Sequence, residues 1–291
     1  MHQGLGVLAG ILSSALGGMA AGTTRFVIGN SDPITIGAFR FGIGFLILLP
    51  LAFLLRQPWP RGRDWLGVAG LGLLFFGIFP IIFNAAFIYT TAARGALALS
   101  TLPLLTMAVG ALLGIERLGL RKTAGVLIAT GGVALALAVG LRTAPEGAWR
   151  GDLLMVIAAL CMAFYNVWSR PFIARSAPLS FAAAGMGIGS SCLALLAEWR
   201  GGLAAIESFG RAQWIAIGYL GLFGGAVAFF LWVFALERAS PTRVASTITV
   251  NPIAASLVAA ALMGEEVGLN LLVGVAAVLA GIWVAASERK S

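Results

Sequence analysis

The chain has 291 residues, of which 60% are hydrophobic and only 10% charged, and its mean hydropathy is +0.98. Such a chain falls outside soluble-domain composition and is expected in a membrane, so its net charge of +8 is not read as a nucleic-acid footprint. A single histidine, His2, and two isolated cysteines, Cys161 and Cys192, provide neither a metal cluster nor a disulfide framework, and no cofactor is expected.

A spanning helix needs about 20 mostly apolar residues to cross a roughly 30 Å hydrocarbon core. Ten such runs follow one another in chain order: 5–27, 33–55, 65–89, 95–114, 123–141, 153–173, 179–199, 214–236, 244–263 and 268–286. Each is continuously apolar without in-and-out alternation, which predicts helices and not barrel strands. The first run starts Met1-His2-Gln3 with no Lys or Arg and exceeds a signal h-region in length, so it is expected to remain as a span. Glycines four residues apart, Gly6 with Gly10, Gly18 with Gly22 and Gly110 with Gly114, predict close helix packing, within the chain in preference to between chains. Trp59, Trp65, Trp149, Trp199, Trp214 and Trp283 fall near span ends and suit interfacial anchors.

With ten spans, one side of the membrane receives twelve Lys and Arg residues, from Arg56 to Lys290, and the other receives Arg25, Arg94, Arg142, Arg150, Arg200 and Arg211. The positive-inside rule then puts both termini in the cytoplasm, with the chain in the inner (cytoplasmic) membrane.

An internal repeat sets the architecture. A shift of 149 residues superposes Arg94 on Arg243, Pro103 on Pro252, Glu116 on Glu265, Gly119 on Gly268, Gly125 on Gly274 and Gly132 on Gly281. A second register, shifted by 145, pairs Pro33 with Pro178, Gly42 with Gly187 and Gly44 with Gly189. The unit is therefore five helices, residues 1–146 and 147–291. Because five is odd, the second unit enters from the opposite face, as in the inverted repeats of secondary transporters. The predicted fold is an all-α membrane protein of ten helices in two inverted five-helix repeats.

The five-plus-five plan, the Pro33 to Arg40-Phe41 opening of the second span, and the Pro-containing fourth and ninth spans followed by Glu116 or Glu265 resemble the EamA-type members of the drug/metabolite transporter superfamily. The sixth span, Phe164-Tyr165-Asn166-Val167-Trp168-Ser169, is similar to that of bacterial aromatic amino-acid and methyl viologen exporters. The resemblance implies a small-molecule transporter whose central cavity lies among helices one, three, four, six, eight and nine.

The eleven acidic residues all lie in connections or near span ends, so no buried Asp, Glu or His is predicted to carry a proton. The small multidrug members of the superfamily carry an intramembrane Glu in their first helix, where this chain has Ser13-Ser14-Ala15-Leu16. Facilitated diffusion or exchange is therefore expected.

Arg40 is the deepest charge, about 10 Å along the second span at roughly 1.5 Å per residue. It snorkels to the interface, binds carbonyls of neighbouring helices or meets substrate. Arg94 and Arg243 precede the proline spans and form gates or set topology. Pro103 and Pro252 are expected mid-helix, freeing the carbonyls of Leu99 and Ile248, with Ser100, Thr101, Thr249 and Asn251 either lining a site or patching the kink. Asn84, Tyr165 and Asn166 complete the substrate-binding candidates, with Phe83 and Trp168 as an apolar wall. Neutral donors and acceptors suit a zwitterionic or uncharged ligand, amino acids above all. A quaternary-amine drug is the alternative substrate, and a non-transporting receptor or lipid-handling scaffold the alternative function. Gly4-Leu5-Gly6-Val7-Leu8-Ala9 mimics a dinucleotide motif without a preceding strand, and no enzyme constellation is present. The expected partners are a small-molecule substrate and membrane lipid, with no nucleic acid, and one chain suffices to contain both halves.

Overall fold

The computed structural model describes residues 2–115, 119–140 and 144–264, with isolated positions beyond; among these, helices carry the architecture and no strand occurs. Eight helices are long and apolar enough to cross a membrane: Gln3–Val27, Pro33–Leu54, Asp64–Tyr89, Ala92–Leu112, Ala148–Arg175, Pro178–Trp199, Arg211–Arg238 and Pro241–Met263. These are spans one to four and six to nine, and the helix Leu120–Gly140 stands where span five is expected. The expected tenth span lies largely outside the described residues, as do Glu116, Glu265, Gly268, Gly274, Gly281 and Trp283.

Most spans start one to five residues before the apolar runs, because a capped polar first turn carries no hydropathy signal. Span four shows how: it starts at Ala92, three residues before its apolar run, where Thr91 Oγ1 accepts from the backbone N–H of Arg94 at 3.3 Å. Span two starts where its run does, at Pro33, with Asp32 Oδ1 accepting from the backbone N–H groups of Ile34 at 2.9 Å and Thr35 at 3.3 Å.

The proline expectation needs correction. Pro103 and Pro252 do not kink continuous helices. Span four is two helices, Ala92–Leu99 and Leu102–Leu112, and span nine is Pro241–Ser246, a 3-10 turn Thr247–Val250, then Asn251–Met263. Each proline sits in the first turn of the second piece, where its missing N–H and fixed φ are tolerated.

Spans three and eight each contain one π-helical turn, Leu73–Ile78 and Leu222–Val227. These ranges are 149 residues apart at both ends, so the repeat extends to a backbone irregularity that no residue identity announces. Spans one and six follow the 145 register, as spans two and seven do. A Cβ on Gly6 would meet the Ala235 carbonyl at 3.4 Å and the Ala239 Cβ at 3.5 Å; one on Gly151 would meet the Ala86 carbonyl and the Thr90 Cβ, each at 2.7 Å. Likewise the Arg25 Nη1 donates to the Phe87 carbonyl at 2.8 Å, and the Arg170 Nε to that of Leu236 at 3.3 Å.

These equivalent contacts cross between the halves in opposite senses. Span one packs on spans eight and nine, and span six on spans three and four. Span two packs on span eight, span seven on span three, and spans two and seven on each other. The glycine stripe of span one serves this packing within the chain. A Cβ on Gly10 would lie 2.9 Å from Thr247 Oγ1, one on Gly18 would lie 2.4 Å from the Asn251 carbonyl, and one on Gly22 would lie 2.9 Å from the Val258 side chain.

Candidate functional site

A cavity opens where the two halves meet, lined by Ser13, Ser14 and Gly17 of span one, Arg40 of span two, Phe79 and Phe83 of span three, and Leu99 of span four. Met162 of span six, Ala228, Phe229 and Trp232 of span eight, and Ile248 and Asn251 of span nine complete it. Four pairs among these are repeat mates: Gly17 with Met162, Phe79 with Ala228, Phe83 with Trp232, and Leu99 with Ile248. The cavity therefore straddles the axis relating the halves. Its volume of about 40 Å³ is room for roughly three water molecules at ~10–15 Å³ each.

Arg40 is 3% exposed. Its Nε and Nη2 donate to the carbonyl of Gly224, at 3.1 and 2.8 Å, in the π-turn of span eight. Glycine is required there, since a Cβ on Gly224 would stand 2.8 Å from that of Ala20, and one on Gly225 would stand 2.5 Å from the Arg40 carbonyl. The rings of Phe41, Phe83 and Phe229 surround the guanidinium with centroids 5.3, 5.8 and 5.5 Å away, presenting π-faces to the charge. No Asp or Glu pairs with Arg40 among the described residues. A cation held by one carbonyl and three rings has donor capacity left for an anion.

Asn251 also reaches the cavity. It is 2% exposed, its Oδ1 is buried without a partner, and its amide makes no hydrogen bond among the described residues. Ser13 Oγ donates to the Ala228 carbonyl at 2.6 Å, and Ser14 Oγ shares a hydrogen bond with Thr247 Oγ1 at 3.0 Å.

The other candidates are placed away from the cavity lining. Ser100 and Thr101 turn their hydroxyls back onto the carbonyls of Ala96 at 3.2 Å and Ala98 at 2.9 Å, which is the kink-patching alternative. Thr249 is buried in the 3-10 turn beside Ile248. Asn84 donates through Nδ2 to the Pro33 carbonyl at 2.8 Å, tying span three to the start of span two. Tyr165 is fully buried and stacks on Phe75 with centroids 4.1 Å apart. Asn166 accepts from Trp232 Nε1 at 2.9 Å and donates to Thr106 Oγ1 at 3.4 Å, so it holds one cavity wall from behind. Trp168 is 44% exposed and faces outward. Ser13 and Ser14, in the first-span stretch where the small multidrug members carry their intramembrane Glu, stand among the cavity residues.

The two repeat-related arginines differ. Arg94 is nearly buried and pairs with Asp152 at 2.5 Å, and Thr90 Oγ1 donates to the same carboxylate at 3.2 Å. Arg243 is exposed and its Nη1 donates to Gln3 Oε1 at 3.1 Å. The residue equivalent to Asp152 is Val7, and Gln3 lies one turn nearer the helix end. Gln3 starts span one and Arg94 starts span four, so the two contacts close opposite ends of the bundle.

Comparison with known proteins agrees with this geometry. The description "EamA-like transporter family" matches residues 4–138 and again 149–287, one match for each half. An uncharacterized protein of Pseudomonas aeruginosa is 29% identical, covering 89% of this chain and 85% of its own. The uncharacterized transporter YyaM of Bacillus subtilis is 22% identical over 90% of this chain and 87% of its own. A protein described as a probable terminal-alkyne amino-acid exporter, from Streptantibioticus cattleyicolor, is 27% identical over 77% of this chain and 73% of its own. One protein of known crystal structure shares the fold with a TM-score of 0.70 at 21% identity, covering 98% of this chain and 96% of that one. These family and relative names indicate a transporter of small molecules in place of an enzyme. Two family matches on two opposed halves around one cavity have a single reading: the chain is a multi-pass membrane protein of the EamA-like transporter family.

Proposed function

We propose that this chain exports amino acids with apolar side chains across the cytoplasmic membrane, by alternating access and without proton coupling. The carrying observation is Arg40, a buried cation in the cavity wall with no acidic partner among the described residues. A carboxylate is the ligand group that best compensates it in a low-dielectric site. The same charge opposes the quaternary-amine alternative. Phe79, Phe83, Met162 and Leu99 offer an apolar surface to a side chain.

The narrow cavity supports alternating access, since a metabolite enters only when helices part at one end. Among the described residues no Asp, Glu or His lines it, which supports facilitated diffusion. Both cavity walls come from one chain, which supports a monomeric transport unit, and the Lys and Arg asymmetry supports cytoplasmic termini.

The test is counterflow in proteoliposomes of the purified protein, using leucine, phenylalanine, a sugar phosphate and a quaternary amine, with and without a pH gradient. Exchange of leucine or phenylalanine, indifferent to the gradient and lost in Arg40→Gln, is the expected result. Uphill accumulation driven by the pH gradient alone sinks the uncoupled mechanism, and flux of the amine with none of the amino acids sinks the substrate reading.

A further inference from the structure

The apolar walls of the cavity are repeat mates, but its polar groups are not. Arg40 corresponds to Gly185, Asn251 to Leu102, Ser13 to Ala158 and Ser14 to Ala159 in the other half. All four polar residues belong to spans one, two and nine, which pack together with span eight on one side of the axis. The opposite side, spans three, four and six, contributes Phe79, Phe83, Leu99 and Met162. A ligand with its polar head at one end and its apolar body at the other fits this division in one orientation only.

From this asymmetry we infer that Asn251 reads the ammonium group of a bound amino acid whose carboxylate lies on Arg40, making it a specificity-determining residue. The inference rests on the amino-acid reading above. Arg40 has only donors, so it selects the anion and repels a cation. Asn251 Oδ1 is a buried acceptor without a partner among the described residues, and an ammonium is a donor-only group that satisfies it. A buried polar atom left unmatched is costly, so a deaminated analogue that fills the same space is rejected for what it fails to satisfy. Gly17 contributes by lacking a side chain: a Cβ there would stand 3.3 Å from Asn251 Nδ2, crowding the amide.

The experiment is binding to the detergent-purified full chain, read as ligand-induced thermal stabilisation and as competition in counterflow. The probes are L-leucine, 4-methylpentanoate, which lacks the amine, and 3-methylbutylamine, which lacks the carboxylate. The wild type is expected to prefer leucine over each analogue by roughly tenfold or more, as a hydrogen bond to a charged group commonly discriminates. In Asn251→Leu, which installs the residue of the equivalent position at similar volume, leucine binding falls to the level of 4-methylpentanoate while 4-methylpentanoate binding stays within about twofold of wild type. Asn251→Ala provides the same comparison if the leucine variant does not purify as a single species. An unchanged leucine-to-4-methylpentanoate ratio in a folded variant overturns the assignment of Asn251 and leaves the exporter reading standing. Absence of leucine and phenylalanine binding to the wild type overturns both.

Discussion

Arg94 and Arg243 occupy equivalent positions in the two halves, yet Arg94 closes on the carboxylate of Asp152 at 2.5 Å while Arg243 donates to the neutral amide of Gln3 at 3.1 Å. One end of the bundle is thus held by a nearly buried ion pair and the other by an exposed polar contact. Breaking a nearly buried ion pair by removing one partner costs about 3 kcal/mol. Asp152→Asn is therefore expected to lower the unfolding midpoint in detergent clearly, with partial recovery in the charge-swapped Arg94→Asp/Asp152→Arg protein. Gln3→Ala, at an exposed contact, should change stability by no more than about 0.5 kcal/mol.

The Arg40 site tolerates no conservative replacement. Lysine keeps the charge but cannot place two donors on the Gly224 carbonyl while presenting a planar face to Phe41, Phe83 and Phe229. Arg40→Lys should lose amino-acid exchange by about tenfold or more, comparable to losing a charge-assisted hydrogen bond, and initial counterflow rates measure this. A rate within twofold of wild type would show that the fork has no role.

Gly224→Ala tests the π-turn. Its new methyl would press on Ala20, whose Cβ lies 2.8 Å away, and overpacking of this kind costs about 1–3 kcal/mol. Reduced thermal stability with reduced exchange is expected. The double variant Ala20→Gly/Gly224→Ala should regain stability, which a general backbone defect at Gly224 would prevent.

Asn166 acts on the cavity through Trp232. In Asn166→Leu the indole N–H loses its acceptor deep in the bundle, a desolvation cost of about 1–3 kcal/mol. The wall then loses its fixed orientation, so the relative exchange of leucine and phenylalanine should shift while Arg40-dependent carboxylate binding persists. Competition counterflow with the two amino acids measures the shift.

Ser100 and Thr101 give the contrasting case. Both hydroxyls are satisfied by carbonyls of their own helix, so Ser100→Ala and Thr101→Val should leave amino-acid exchange within about twofold of wild type, as expected for local side-chain-to-backbone bonds. A tenfold loss in either would place a hydroxyl on the substrate path.

Sequence alone determined the membrane class, eight of the spans and the two registers of the repeat, because hydropathy, proline and arginine spacing are one-dimensional signals. It also marked Arg40, Asn251 and the Pro103 and Pro252 breaks as unusual. It did not separate Arg40 from a snorkelling arginine, or Asn251 and Asn166 from each other, because every polar residue inside a span reads alike until its neighbours are known. Only the tertiary structure decided that Arg40 faces the Gly224 carbonyl, that Asn166 is spent on Trp232, and that the Asn251 amide has no partner among the described residues. Those outcomes depend on contacts far apart in the chain: Asn166 with Trp232, 66 positions apart within the second half, and Arg40 with Gly224, 184 positions apart, where span two of one half packs on the third span of the other. The physical reason is that in a membrane the apolar runs need only be apolar, whereas a polar group must find a specific partner, and which partner it finds depends on how the helices are packed.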